Sequence, residues 1–482
     1  MDDAITPAVL KKWMWASLVP LIFMIVSLYA RAIWRDEVWA LYYTEPSLSL
    51  SETTQRLYNN VHPPGYFYIL HYWRMISNSI AWEKTLNLLF IIIGCFGARA
   101  IGAVDKKQTN VFLLLCAGSY WLIYFAAVIR PYTLMFVLAS LSVLTLARIL
   151  ESKKSDSILV WALVWAALGM LNALSHYFAL VWIGLAGLFT GLVFLRQKRF
   201  SDFVIIGICS VLALAPSCLW IWASYSDIGY RPDRAPGTWD NFTYGLNQFM
   251  RGMTAKLIGS NPAAYLIGIL SLGALWQLRK PLDFVLAASA LATVLVIFIG
   301  HMTWMPLIKE RAFMVIIPAL ILLIARAILT APQDKYKKLW RALPIICALM
   351  PFLFVGEYFK DRERLNDVRT LFLQYPACTR APIYTFYRPF REGDGFSEYY
   401  TDMAIPRNHL VEARLENAGM AKEIISAPCP IKAIALGMPR GEKADHKKMR
   451  TAFKDMGLPL ETLIETRLGK GRNVVYLAQE KR

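Results

Sequence analysis

Long apolar runs recur along the chain from residue 13 to about residue 356, and few charges interrupt them. Because a helix needs roughly 20 apolar residues to cross about 30 Å of hydrocarbon, these runs predict membrane-spanning helices. Eleven spans are predicted, at about 13–30, 84–101, 109–128, 132–149, 158–174, 177–195, 203–224, 260–277, 283–302, 312–329 and 339–357. The pattern is typical of a polytopic α-helical membrane protein.

Lysine and arginine residues between the runs test this count, because short cytoplasmic loops hold an excess of them. If the N-terminus with Lys11 and Lys12 is cytoplasmic, every second junction should be basic. Each of those junctions is basic, through Lys106, Lys107, Arg148, Lys153, Lys154, Arg196, Lys198, Arg199, Arg279, Lys280, Lys335, Lys337, Lys338 and Arg341. The pattern predicts a transmembrane domain over residues 1–357. An odd number of spans then places residues 358–482 on the opposite side of the membrane.

The composition agrees, since 56% of the 482 residues are hydrophobic and 18% are charged, too strong an imbalance for a soluble enzyme of this length. The net charge of +18 is mostly a topological signal. Its basic residues are not interleaved with aromatic residues as in nucleic-acid-binding proteins, so nucleic acid is discounted as a partner.

The C-terminal segment 358–482 shows alternating patterns that predict a small α/β domain. We expect helices near 361–375 and 444–456, strands in APIYTF and IKAIALGM, and a hairpin over ETLIETRLGKGRNVVYLA. Cys378 and Cys429 both fall in this segment. A disulfide between them is one alternative in an oxidising compartment, and two free thiols are the other.

Two predicted outward loops, 31–83 and 225–259, are long enough to hold structure of their own, and such loops are usually functional. In the first loop we expect a helix before Pro46, a second helix capped by Ser49 and Glu52, and an aromatic amphipathic helix in the membrane interface after Pro64. The second loop is rich in turn residues and predicts a mobile lid.

Ionisable residues collect at the outward ends of the predicted spans, where an unpaired charge is costly and therefore indicates function. They are Arg31, Arg35, Asp36, Glu37, His62, Arg130, His176, His301, Lys309, Glu310 and Arg311. Cations around an acidic pair predict a pocket for a phosphate-bearing lipid head group, with a carboxylate directed at an acceptor. Purely structural roles are the alternative: a helix start for the acidic pair, interfacial anchors for the arginines and a turn residue for His62. For His176 and His301 the structural role is favoured.

Five segments follow one another in chain order: DEVWAL, VHPPGYFYILHYW, IRPYTLMFVLASLSVLTLARIL, SHYFALVWIGLAGL and KERAFMVIIPALILLIA. Together they resemble the GT-C glycosyltransferases of the protein-mannosyltransferase and aminoarabinose-transferase type. The resemblance covers most of residues 13–357, continues weakly into the C-terminal segment, and is nearest to bacterial members of unassigned substrate.

This resemblance implies a transferase that uses a polyprenyl-phosphate-linked sugar on the periplasmic or lumenal face, in a bacterium at the inner membrane. It implies Asp36 as the catalytic base with Glu37 beside it. Donor phosphate and sugar would be bound by Arg130, Tyr132, Arg311, Lys309, His62 and His176. No metal ligands and no required cofactor are predicted, although some relatives bind a divalent metal near the site. The sugar, the prenyl length, the oligomeric state and the acceptor, whether glycan, lipid or protein, stay open.

The chemistry agrees with this inventory. Inverting glycosidases need a general acid as well as a base, but a lipid phosphate is already a good leaving group, so one carboxylate base can suffice and inversion is expected. Two alternatives stay open. A flippase of lipid-linked sugars would place polar residues near the midplane in repeated halves, and no internal repeat is visible. A polysaccharide polymerase or ligase would use a diphosphate-linked donor.

Overall fold

The computed structural model describes residues 7–30, 33, 35–58, 60, 62–102, 106–151, 158–224, 243, 246, 280–303, 310–330, 352, 383–387, 410–412, 433–438, 461–468 and 471–477. The chain divides into two compact units. The first, the helical unit, contains Met1–Tyr29 and Tyr43–Val355. The second, the sheet unit, contains Ala30–Tyr42 and Gly356–Arg482.

The described α-helices follow the apolar runs of the sequence. In chain order they are α1 Pro7–Ala30, α2 Arg35–Tyr43, α3 Leu50–Tyr58, α4 Gly65–Ile76, α5 Ile80–Ile101, α6 Lys106–Ala117, α7 Tyr120–Ala126, α8 Tyr132–Glu151, α9 Ile158–Ala173, α10 Tyr177–Arg196, α11 Phe200–Ser224, α12 Pro281–Thr303 and α13 Ile317–Thr330. A 3-10 helix, Glu310–Ile316, leads directly into α13.

Six helical segments within the described residues are long and apolar enough to cross a membrane: α5, α8, α10, α11, α12 and Arg311–Thr330. Shorter apolar segments lie in α1, at Leu18–Leu28, and in α9. The predicted span at 260–277 lies outside the described residues, and so does that at 339–357 apart from Phe352, so the count of eleven stays a prediction.

The predicted third span, 109–128, is divided into α6 and α7. The amide of Gly118 still donates to Leu114 O at 3.0 Å, but Ser119 turns to an extended conformation at the start of α7. Glycine is a weak helix former, and serine is preferred at the N-cap position that precedes a helix. Gly118 and Ser119 therefore interrupt the helix within this apolar run. Helix α7 ends at Ala126, and the chain turns there toward Arg130.

Helix α8 is the centre of the helical unit, because every side chain from Tyr132 to Ala147 is buried. Two of its polar side chains bond to the helix backbone: the Ser140 hydroxyl donates to Phe136 O and that of Thr145 donates to Leu141 O, both at 2.8 Å. Helix α5 approaches closely at Gly94, where a Cβ would lie 2.7 Å from a Val137 methyl carbon.

A buried ion network joins four helices at the C-terminal end of α8, where Glu151 lies. Arg326 of α13 contacts Asp283 of α12 at 2.5 Å and Glu151 of α8 at 2.7 Å, and it donates to Gln108 of α6 at 3.2 Å. Arg326 and Asp283 are each 5% exposed. This end of the helices carries the basic junctions that the sequence assigns to the cytoplasm.

The sheet unit contains α2 and a five-stranded sheet with strand order β2-β1-β3-β5-β4. Strand β1 is parallel to β2 and β3, whereas β5 is antiparallel to β3 and β4. The bounds are β1 Ile383–Tyr387, β2 Leu410–Glu412, β3 Ala433–Met438, β4 Glu461–Leu468 and β5 Gly471–Leu477. Strands β1, β3 and the β4–β5 hairpin confirm three sequence predictions. The two predicted helices, Cys378 and Cys429 lie outside the described residues.

Candidate active site

Helix α3, in the loop that the sequence predicts to face outward, begins with the predicted cap. The Ser49 amide donates to a Glu52 carboxylate oxygen at 2.7 Å, and the Glu52 amide donates to Ser49 Oγ at 3.3 Å. This reciprocal cap fixes the start of α3. Hydrogen bonds from the Ser49 side chain and backbone hold the pKa of the Glu52 carboxyl below its usual value.

Helix α4 is amphipathic and is tied to α5. Arg74 pairs with Glu83 at 2.5 Å, both side chains being buried, and Arg74 also donates to Thr44 Oγ1 at 3.2 Å. The indoles of Trp73 and Trp82 stack at 4.5 Å, and each donates to the backbone carbonyl of the other residue. The opposite face of α4 exposes Ile69, Tyr72, Met75 and Ile76.

The His62-Pro63-Pro64-Gly65 turn docks against the end of α9. The Gly65 amide donates to Leu174 O at 2.8 Å, and a Cβ at Gly65 would lie 2.8 Å from that same oxygen. Only glycine allows this approach without displacing the backbone. Since His176 follows Leu174 by two residues, the contact brings the His62 and His176 rings to 4.7 Å between centroids.

The turn between α7 and α8 presents Arg130 and is held by two polar side chains. Asn87 of α5 donates through its amide to Ala126 O at 3.0 Å and to Val128 O at 2.6 Å. The Thr133 hydroxyl donates to Phe125 O at 2.9 Å. These bonds satisfy carbonyls that the break before α8 leaves without helical partners.

The rings of His62, Tyr132 and His176 form a mutual triangle, which we call the His-Tyr-His cluster. Tyr132 lies 6.0 Å from His62 and 5.7 Å from His176 between centroids. The Arg311 guanidinium lies over the Tyr132 ring at 5.5 Å, a cation–π contact. Segments that are more than 100 residues apart in sequence thus meet, as the predicted donor site requires.

Arg130 is a buried cation beside this cluster. Its side chain is 4% exposed, and its Nε and Nη1 have no hydrogen-bond partner among the described residues. Burying a charge without partners costs several kcal/mol, and an anion would supply the missing acceptors. The site therefore has the chemistry of a phosphate pocket.

His176 is held neutral beside these cations. Burial, with smaller contributions from the positive charges of Arg311 and Arg130, lowers the pKa of His176 to about 3. Its Nδ1 accepts a hydrogen bond from the Phe178 amide at 3.3 Å, which leaves the proton of the neutral ring on Nε2. His176 therefore has a structural role as the cap of α10, and the same ring also belongs to the cluster.

The acidic pair is described within the sheet unit. Asp36 and Glu37 lie in the first turn of α2, where a helix favours negative charge. Glu37 is buried and Asp36 is half-buried. Their predicted approach to the donor site stays a prediction. Lys309 lies outside the described residues, and His301 is buried in the last turn of α12.

The sequence did not indicate three residues that support the site: Asn87, Gly65 and Phe125. The Phe125 ring lies 4.6 Å from that of Tyr132 between centroids. Asn87 could have been found, because an amide inside an apolar run indicates a specific partner. Gly65 follows two prolines, which marks a tight turn. Phe125 carries no such signal in an apolar segment.

Within the described part of the chain, no three His, Cys, Asp or Glu side chains lie together as a set of metal ligands. The expectation that no metal is required stays a prediction.

Comparison with protein-family models and with curated protein sequences finds no match. Among solved structures, the chain is similar to ArnT from Cupriavidus metallidurans in the apo state, with a TM-score of 0.57 and 12% identity over 96% of this chain and 97% of that chain. The same protein bound to undecaprenyl phosphate gives a TM-score of 0.55 at equal identity and coverage. Archaeal oligosaccharyltransferase AglB from Archaeoglobus fulgidus, in complex with an inhibitory peptide and a dolichol-phosphate, gives 0.46 at 10% identity, covering 93% of this chain and 68% of that chain.

The similarity to ArnT extends over nearly the full length of both chains, and it shows that this chain shares the fold of that protein, in agreement with the resemblance found in the sequence. At 12% identity it shows the fold. The chemistry has to be argued from the site.

Proposed function

We propose that this chain, which has the GT-C fold of ArnT, is a membrane glycosyltransferase that transfers a sugar from a polyprenyl-phosphate donor to a hydroxyl acceptor on the outer face of a bacterial inner membrane. The observation that carries the proposal is Arg130, buried at 4% exposure with Nε and Nη1 lacking hydrogen-bond partners among the described residues. It lies at the outward end of α8, beside the His-Tyr-His cluster, where a lipid phosphate would supply the missing acceptors.

A lipid monophosphate is the anion that the setting favours. The site stands at the end of membrane-spanning helices, so a prenyl chain can stay in lipid while its head group reaches the cations. ArnT has been crystallised with undecaprenyl phosphate, and we extend this ligand class to the present chain. The sugar is not specified by the cluster, whose rings offer stacking faces and few fixed acceptors.

The proposed reaction is a displacement at the anomeric carbon. The acceptor oxygen forms a bond to that carbon, the bond from the carbon to the phosphate oxygen breaks, and its electron pair leaves with the phosphate. Arg130 and Arg311 stabilise the charge that grows on the phosphate, and the Nε2–H of neutral His176 can donate to it. Asp36 takes the proton of the acceptor hydroxyl, with Glu37 as its neighbour. A single displacement inverts the anomeric configuration.

The acceptor, whether glycan, lipid or protein, would approach from the aqueous side. We assign recognition of the acceptor to the C-terminal domain, residues 358–482, and to the loop 225–259. In this proposal the N-terminus lies in the cytoplasm. No cofactor enters this proposal.

The phosphate role is tested with Arg130→Gln in purified protein, using sugars linked to polyprenyl monophosphate and to polyprenyl diphosphate. Arg196→Gln is the matched control, because Arg196 is exposed at the other end of α10. We expect Arg130→Gln to reduce transfer from the monophosphate donor by 100-fold or more, as loss of a transition-state donor does, on the order of 2.7–4 kcal/mol. Arg196→Gln should keep the wild-type rate. Consumption of the diphosphate donor alone would identify a polymerase or ligase and refute the proposal.

The base is tested separately with Asp36→Asn and Glu37→Gln. We expect Asp36→Asn to abolish transfer while donor binding is kept, because the proton acceptor is lost and the phosphate site is not. Glu37→Gln should retain more activity. If both variants transferred sugar at the native rate, the base would lie elsewhere.

A further inference from the structure

A cavity of about 370 Å³ lies in the helical unit between α1, α5, α6, α7 and α8. Its volume falls within the range of small-molecule sites. The lining is apolar except for Arg99, Asn110, Ser140 and the thiols of Cys95 and Cys116. Neither Arg130 nor any member of the His-Tyr-His cluster lines it, so it is a separate feature of the fold.

The cavity is closed on the side of the donor site. Phe136, one helical turn after Tyr132, is 1% exposed, and Leu122 of α7 is 5% exposed. The rings of Phe125 and Tyr132, both buried, pack at 4.6 Å beyond them. This layer of buried side chains separates the cavity from the proposed site of sugar transfer.

The cavity is open between α1 and α5 instead. Leu18 of α1 is 38% exposed, and Cys95 and Arg99 of α5 are exposed as well. These side chains face the surroundings of the helical unit, which in a membrane are lipid. A chain of methylene groups could therefore enter sideways from the bilayer.

Positive charge gathers at one end of this opening. Arg99 lies two residues before the end of α5, Lys106 is exposed at the start of α6, and Arg148 donates to Gly102 O at 3.2 Å in the turn between them. The segment 99–110 contains one acidic residue, Asp105, against the three cations Arg99, Lys106 and Lys107, so its net charge is positive. The nearest described carboxylate along α8, Glu151, is paired with Arg326 at 2.7 Å.

We propose that this cavity binds one acyl chain of an anionic phospholipid from the cytoplasmic leaflet, with the lipid phosphate held by Arg99 and Lys106. Basic residues at the inner membrane surface attract anionic head groups, and the apolar lining accepts the chain. The donor lipid is a poorer occupant, because its phosphate belongs at the outward end of the helices. Arg99 lies 19 residues along α5 from Ile80, about 28 Å at the rise of an α-helix.

The test uses the purified full chain and compares phosphatidylglycerol with phosphatidylcholine of the same acyl chains. Retained lipid is counted by native mass spectrometry. We expect preferential retention of phosphatidylglycerol, weakened about fivefold by Arg99→Gln and unchanged by Arg196→Gln. Cys116→Leu, which fills the cavity from α6, should weaken retention of both lipids. Equal retention of the two lipids by the wild-type chain would overturn the proposal.

A second measurement needs no variant. Cys95 lines the cavity and is exposed, so its alkylation by a maleimide, read by peptide mass spectrometry, reports occupancy. Phosphatidylglycerol should slow alkylation of Cys95 and leave that of exposed Cys218 unchanged. Displacement of phosphatidylglycerol from Cys95 by unglycosylated polyprenyl phosphate would show that the prenyl chain occupies the cavity, and would overturn the assignment. Sugar transfer enters neither measurement, so these outcomes are independent of the proposed activity.

Discussion

His176 shows how a single side chain can be fixed in one protonation state by its surroundings. An imidazole in water has a pKa near 6.5, whereas burial and two arginines lower that of His176 to about 3. Across the physiological range it stays neutral and can donate through Nε2. A charged imidazole beside Arg130 and Arg311 would instead add repulsion between like charges.

This shift predicts a pH-dependent stability. Below about pH 6.5, His176 binds a proton in the unfolded chain but stays neutral in the folded chain. The contribution of neutral His176 to the free energy of unfolding is therefore complete above pH 6.5. It is lost as pH falls toward 3, by about 1.4 kcal/mol per pH unit. His176→Asn keeps a residue suited to cap α10. Thermal unfolding of both proteins in detergent, from pH 4.5 to 7.5, should show a steeper acid loss for the wild type. Identical pH slopes would contradict the shift.

At the residue level, the sequence indicates the charged members of the site better than their supports. Arg130, Arg311 and His62 stand out because charge at the end of an apolar run needs a reason. The neutrality of His176 was not predictable, because it depends on burial and on cations distant in sequence. Asn87, which holds the turn before Arg130, resembles any polar residue in a span until its two carbonyl partners are known.

At the scale of elements, the junction of α4 with α9 should depend on Gly65. Gly65→Ala places a methyl group 2.8 Å from Leu174 O, so α4 must move away from the end of α9 and His62 from His176. Loss of the backbone hydrogen bond, worth about 1 kcal/mol, should weaken polyprenyl-phosphate binding about fivefold or more. Gly207→Ala in α11 meets no atom within 4 Å and is the control. Equal binding by both variants would show that the junction does not position the site.

The four-helix ion network predicts a larger effect on stability. Arg326→Met leaves Asp283 and Glu151 without their buried partner, which typically costs about 3–5 kcal/mol. Arg199→Met breaks the more exposed Arg199–Asp202 pair and should cost about 1 kcal/mol or less. Thermal unfolding in detergent compares the two. Adding Asp283→Leu to Arg326→Met should recover part of the lost stability. Similar losses for Arg326→Met and Arg199→Met would show that the network does not stabilise the fold.

Helix caps and hairpins could be predicted from the sequence wherever they depend on residues close together in the chain. The cap of α3 and the hairpin β4–β5 could be predicted, since both depend on neighbouring residues. The break between α6 and α7 was missed, because Gly118 and Ser119 are tolerated inside many apolar helices. Strand order in the sheet could not be predicted, because β1 pairs with both β2 and β3, which are distant from it in sequence.

On the scale of the whole molecule, the helical unit is polar at both ends and apolar between them. Helix α8 carries Tyr132 at one end and Glu151 at the other, a separation of about 28 Å that matches the thickness of the hydrocarbon core. The first end holds the cations proposed to bind phosphate. The second holds the Arg326 network and the basic turns. The basic junctions that alternate along the sequence predicted these two ends, since the prediction requires only the side of the membrane on which each junction lies.

The orientation follows as a prediction for intact cells. Ser47 lies in the first outward loop and Gln197 in the junction after α10, and both are exposed. With the seven native cysteines replaced by serine, a membrane-impermeant maleimide should label Ser47→Cys in spheroplasts, because the sequence predicts that this loop faces outward. Gln197→Cys should react only after permeabilisation, since its basic junction is predicted to face the cytoplasm. The reverse pattern would place the Arg130 site on the cytoplasmic face and remove it from a periplasmic acceptor.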